Sequence, residues 1–201
     1  MSTIRPYRPA DRDALYDICI RTGDSGRDAT ALYSDPRILP DIFTGPYLEL
    51  DPALAFVLAD AADRPVGYII GTADTPRFVS AYRRDWLPKV ADRYPEGSGT
   101  GRDAERIREL HHPEWMLQDG LADYPAHLHI DLLPEAQGRG AGRALMDTYL
   151  AALRAAGVPR VHLGMGAANT AARAFYDRLG FHEIARPAPS LVLMGRGTAV
   201  T

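Results

Sequence analysis

The chain has 201 residues, 46% hydrophobic and 24% charged, with a formal net charge of -3 and a pI near 6.1. That composition predicts one globular domain over residues 1–201, and its bulk charge gives no reason to expect nucleic-acid binding. No apolar run approaches the ~20 residues of a membrane span, the N-terminus lacks an apolar signal core, and one cysteine excludes an intrachain disulfide, so a cytoplasmic protein is expected.

In chain order, residues 4–7 suit a short first strand. Asp11 is expected to cap a helix whose apolar positions are Ala14, Leu15, Ile18 and Cys19, with Gly23 as its stop. Cys19 sits at helical spacing among apolar neighbours and reads as a buried structural thiol. Four prolines in residues 24–53 break any period, which predicts short helices and loops there. Residues 55–59 and 66–72 form an expected antiparallel hairpin. The next strand, 127–133, follows only after roughly fifty residues, a length that is usually functional inside a compact domain. That stretch holds Phe78, Trp86, Tyr94 and Trp115, which either line a ligand pocket or form a satellite core. Within it, residues 103–112 suit a charged helix and the glycines of 97–101 a mobile tip. A helix is expected over 140–156, burying Leu145, Tyr149, Ala152 and Leu153, then a strand at 161–165, a helix at 170–179 and a closing strand at 191–194.

Strand 127–133 and helix 140–156 are joined by Gln137-Gly138-Arg139-Gly140-Ala141-Gly142. Glycines admit a bulky group to the backbone, and the first amides of a helix lack intrahelical acceptors. The helix dipole adds positive charge, so phosphate or pyrophosphate is the favoured occupant, with Arg139 and Arg143 as further donors. A Rossmann fingerprint fails on glycine spacing and on the missing acidic residue after the next strand; a P-loop fails for want of Gly-Lys-Ser/Thr. Downstream stand Asn169, Ala172, Phe175, Tyr176, Gly180 and Phe181.

The two blocks, in this order and spacing, resemble the GNAT superfamily of acyl-CoA-dependent N-acyltransferases. A second pattern is similar to the acetyltransferase-like C-terminal domain of animal O-GlcNAcases: Tyr7-Arg8-Pro9-x-Asp11, Phe56-Val57-Leu58, Gly67-Tyr68, Gly71-Thr72-x-Asp74, Phe78 and Trp86-x-Pro88. That animal domain lacks the glycine turn, so the chain resembles the stand-alone bacterial enzymes of the subgroup. The resemblance implies an α/β (α+β) fold, a mixed twisted sheet flanked by helices, with strands splayed apart after 127–133. It implies acetyl-CoA as cosubstrate. The main chain of Asp131, Leu132 and Leu133 would bond the pantetheine arm, and Gln137, Gly138, Arg139, Gly140, Ala141, Gly142 and Arg143 would cradle the pyrophosphate, with Asn169 beside them. The partner is then an amine of a small molecule or peptide, with the 75–125 insertion as an acceptor-side lid, and either a monomer or a dimer fits.

Acyl transfer to an amine needs a base for the nitrogen and benefits from an acid for the leaving thiolate. The resemblance puts Tyr176 beside the sulfur as that acid. His127, His129 and Asp131 alternate and share one strand face, unless a bulge shifts them. His129 with Asp131 is the expected base, with Asp74 and Glu114 behind. The outer pair of that triplet lies about 13 Å apart on a regular strand, too far for one ion, so no metal is expected. No Gly-x-Ser-x-Gly elbow occurs. The alternative to an enzyme is a CoA-holding or acceptor-recognising module without chemistry.

Overall fold

Alternation of side chains sets the two-faced sheet. In β2 (Phe56–Ala59) and β3 (Pro65–Thr72), Val57, Tyr68 and Ile70 enter one core, while Leu58 and Ile69 enter the other. The computed structural model describes residues 2–199. β1 (Thr3–Pro6), β4 (Ala126–Leu132), β5 (Arg160–Gly166), β6 (His182–Ala188) and β7 (Leu191–Gly197) complete a seven-stranded sheet ordered β1-β2-β3-β4-β5-β7-β6. All neighbours are antiparallel except β4 and β5.

On one face lie α1 (Arg12–Thr22), α2 (Ile38–Phe43) and α3 (Gly45–Leu50); on the other lies α7 (Ala141–Ala155), packed on β2 and β3. Tyr149 of α7 donates to the His127 carbonyl at 2.9 Å, passing so close to Gly71 that a Cβ there would collide with both groups. The buried face of α7 is Leu145, Met146, Tyr149, Leu150 and Leu153; Ala152, expected inside, sits at its margin.

The long connection from β3 to β4 is largely helical. It holds α4 (Thr75–Ala81), a wide π turn over Tyr82–Trp86, α5 (Leu87–Val90) and α6 (Gly101–His111). Pro88 has no amide for the Arg84 carbonyl, and the backbone widens just ahead of it. Phe78, Tyr82, Trp86 and Tyr94 are buried core, whereas Trp115 is half-buried and faces a cleft. Phe78 and Trp86 belong to the main core with α1 and β3, so the satellite reading holds for Tyr94 and the pocket reading for Trp115. The glycines at 97, 99 and 101, expected as a mobile tip, are left-handed turns, and just beyond them the Asp103 carboxylate holds the Ser34 hydroxyl at 2.6 Å.

One local expectation fails for an identifiable reason. Asp11 does not cap α1: its carboxylate takes two hydrogen bonds from the Arg5 guanidinium, at 2.7 and 2.8 Å, and one from the Arg8 amide at 2.8 Å. No bulge interrupts β4 opposite β3, where pairing runs unbroken from Gly67↔Leu132 to Thr72↔His127. β6, where no strand is expected from the sequence, runs along the sheet edge, and there Pro187 costs no ladder bond.

Candidate active site

β4 and β5 pair only at Ala126↔Val161 and His127↔His162, then part. Leu133 donates its amide to the Val66 carbonyl at 3.0 Å, which fixes the parity of the β3–β4 ladder. Asp131 and Leu133 therefore direct their main chain to β3, while Ile130 and Leu132 turn theirs into the gap. The expectation that Asp131 and Leu133 offer free main chain to a ligand is corrected by this parity; only Leu132 of the three faces the splay. Its carbonyl accepts from Gln137 Nε2 at 2.9 Å.

Immediately beyond, Gly138 and Gly140 take φ of 74° and 79°, left-handed values that favour glycine. Gly142 is needed for another reason, since a Cβ would stand 3.1 Å from the Phe175 ring where α8 (Thr170–Arg178) meets α7. The first bond of α7 runs from Ala144 to the Gly140 carbonyl, and the amides from Gly138 to Arg143 find no acceptor among the described residues. A run of uncommitted N–H groups at a helix N-terminus is an anion cradle. Arg139 is exposed beside it, without an ion-pair partner among the described residues, whereas Arg143 reaches back to the Arg178 carbonyl at 3.1 Å. Asn169 caps α8 by accepting from Ala172 at 3.0 Å, and it also lines the cleft.

The cleft has a volume of about 1250 Å³ and runs from the glycine turn through the splay to α1, α2 and α6. Tyr176 lines its middle, half-buried against Phe175 and Phe181, and its hydroxyl has no partner among the described residues. Burial, then the charge of Asp131, raises the Tyr176 phenol, so it holds its proton at neutral pH. Opposite stand the β4 side chains. Tyr47 Oη lies 2.7 Å from His127 Nε2 and 3.0 Å from His129 Nε2; Thr75 Oγ1 lies 2.7 Å from His127 Nδ1 and donates to the Pro125 carbonyl at 2.8 Å. Burial pushes His127 well below its ordinary range, and pushes His129 down to about 4, with His162 adding to the effect. Both rings are neutral at physiological pH.

Asp131 shares the face with His129, as its spacing predicts, but no hydrogen bond joins them. Its carboxylate instead accepts from Tyr68 at 2.6 Å, and burial raises its pKa against that bond. The two reserve carboxylates have other work. Asp74 caps α4 through the Arg77 amide at 2.9 Å, and Glu114 is ion-paired with Arg83 at the surface. At the far mouth, Phe43 and Trp115 meet edge-on at 6.0 Å, and Arg106 pairs with Glu109 at 2.7 Å.

Sequence reasoning missed Tyr47, Thr75, His162 and Tyr68. Tyr68 lies opposite Asp131 in the β3–β4 register, a signal that appears only once that register is known. Tyr47 sits in the proline-broken stretch, 80 residues from His127, where no period marks it.

The model of the family described as acetyltransferase (GNAT) matches residues 26–181. Protein O-GlcNAcase of Rattus norvegicus is 29% identical over 201 residues, covering 96% of this chain and 22% of that protein. The chain thus spans about a fifth of the length of the curated relatives it matches. The crystal structure of SsHAT, 59% identical, covers 99% of both chains with a TM-score of 0.96. The structure of yncA from Salmonella typhimurium with its cofactor acetyl-CoA shares the fold at 16% identity, with a TM-score of 0.57 over 98% of this chain and 94% of that one. With the family model covering most of the chain, and a splayed sheet beside an open amide cradle, this protein belongs to the acetyltransferase (GNAT) family.

Proposed function

We propose that the protein transfers an acetyl group from acetyl-CoA directly to a primary amine, without an acyl-enzyme. The observation that carries this reading is the continuity of one cleft. The amides of Gly138 to Arg143 stand at one end, Tyr176 and His129 in the middle, and an aromatic, charged mouth at the other. Acetyl-CoA supplies the thioester carbonyl that the amine attacks. Gln137, Gly138, Arg139, Gly140, Ala141, Gly142 and Arg143 hold its pyrophosphate; Leu132, with Ile130, bonds the extended arm through the gap, and the Asn169 side-chain amide adds a donor. The amine's lone pair forms the C–N bond as the C–S bond breaks. His129 takes the nitrogen's proton and Tyr176 gives its own to the departing sulfur, recovering it from solvent. Asp131, on the same face as His129, draws the acceptor into the cleft as an ammonium, which releases one proton to solvent before its lone pair attacks. The 75–125 insertion forms the acceptor side, as part of the same domain as the sheet.

A weak base suits this order of events. A nitrogen that has begun to bond to carbonyl carbon is far more acidic than a free ammonium, so His129 need only be unprotonated and in place. The test is calorimetric titration with acetyl-CoA, followed by thiol release over a panel of amines. Tyr176→Phe is expected to lower kcat about a hundredfold with CoA affinity preserved. CoA binding without acceptor-dependent thiol release would make the protein a binding module, and absence of CoA binding would overturn both readings.

A further inference from the structure

We propose that Thr75, His127 and Tyr47 clamp His129 in the tautomer that carries its proton on Nε2, leaving the Nδ1 lone pair open to the cleft. The inference rests on the reading of His129 as the base, but it is derived from the direction of four hydrogen bonds.

The chain begins at an atom that cannot donate. The Pro125 carbonyl lies 2.8 Å from Thr75 Oγ1, so the hydroxyl proton of Thr75 lies between them. With that proton committed, Thr75 can only accept at the 2.7 Å contact with His127 Nδ1, which must therefore bear hydrogen. His127 is buried and neutral, so its Nε2 carries a lone pair. The Tyr47 hydroxyl, 2.7 Å away, donates to it. Met116 Sδ, 4.0 Å from the same hydroxyl, is a much weaker acceptor. Tyr47 has then used its only proton, and the 3.0 Å contact to His129 Nε2 requires that nitrogen to donate. His129 is left with an unprotonated Nδ1, which has no partner among the described residues, on a ring that lines the cleft. Reversing the chain would set the lone pairs of Thr75 and Pro125 face to face at 2.8 Å.

The groups packed around the two rings do not disturb this assignment. From β5, His162 turns its Nδ1 to the Tyr124 carbonyl at 2.8 Å; from β4, Asp131 is held by Tyr68; from α2, Phe43 presents a tilted ring 5.9 Å from His129. The clamp positions the base and does not conduct. Passing the proton on from His129 through Tyr47 would put a cation on buried His127, 5.5 Å from the His162 ring. Thr75 is the first residue of α4, so the insertion contributes the anchor of the base as well as the acceptor wall.

The test is nitrogen NMR of histidine-labelled protein at neutral pH, with kinetics of Tyr47→Phe, Thr75→Val and Thr75→Ser. The expected result is a wild-type His129 protonated on Nε2 and bare on Nδ1. Both Tyr47→Phe and Thr75→Val should mix the tautomers and lower kcat about tenfold or more with the KM for acetyl-CoA unchanged; Thr75→Ser, which keeps the hydroxyl, should restore both. Protonation of His129 on Nδ1 in the wild type would overturn the clamp, as would an unchanged tautomer in folded Tyr47→Phe and Thr75→Val. The reading of His129 as base fails separately, if His129→Gln keeps full activity while the wild-type spectrum shows the clamped tautomer.

Discussion

Tyr82 brings its hydroxyl into the core shared with α1, α3 and β3, where it finds no hydrogen-bond partner among the described residues. The other deeply buried tyrosines all spend theirs: Tyr47 on two histidines, Tyr68 on Asp131, Tyr149 on the His127 carbonyl. A buried hydroxyl without a partner costs about 1–3 kcal/mol. Tyr82→Phe should therefore raise stability by about 1 kcal/mol, read as a higher urea midpoint; a lower midpoint would mean that the hydroxyl is satisfied in solution. Composition cannot separate these tyrosines. The place of Tyr176 in the cleft was legible because a spaced pattern surrounds it, and that of His129 because strand alternation puts it on one face with Asp131. Tyr47 was not, since its role depends on α3 being folded against β4.

At the scale of elements, the hairpin, the two long helices and the strands feeding the splay were legible because each has a clean period. What was illegible followed from tertiary pairing. β6 exists because β7 offers it an edge, and the bonds of Asp11 are set by Arg5 across from β1. The union of β3, β4 and α7 is closest at Gly71, where the Tyr149 hydroxyl and the His127 carbonyl fill the space of a side chain. Overpacking costs typically 1–3 kcal/mol, and here one of the colliding atoms is backbone. Gly71→Ala is expected to lose about 3 kcal/mol in chemical unfolding and to weaken acetyl transfer by moving His127, which carries the clamp. Loss of under 0.5 kcal/mol would show that β4 yields easily at this point.

For the whole molecule, three histidines, His127, His129 and His162, are held neutral by burial. Each has a folded pKa below its unfolded value, so the unfolded chain binds more protons as pH falls. The stability they confer is complete above about 6.5 and is lost on descent toward about 4, the His129 value. His129 alone sets an upper bound of about 3 kcal/mol, and the raised pKa of Asp131 partly offsets it. Urea midpoints should fall steadily from pH 7 to pH 4.5; a flat profile would mean that water reaches these rings freely. The same depressed values predict that kcat/KM rises as the acceptor ammonium loses its proton, without an inflection near 6.5. The splay has a consequence for how the protein keeps its own company. Unpaired strand edges recruit other chains and seed aggregation, and proteins usually blunt them with charge, proline or short length. Here the strand edge at Ile130 and Leu132, joined to no strand on that side and bonded only through the Leu132 carbonyl to Gln137, is turned inward, between neighbouring strands of a single sheet. An edge lodged between two strands of one sheet is open only to a segment entering through the cleft and not to the flank of another sheet, so the protein keeps an adhesive edge without becoming adhesive.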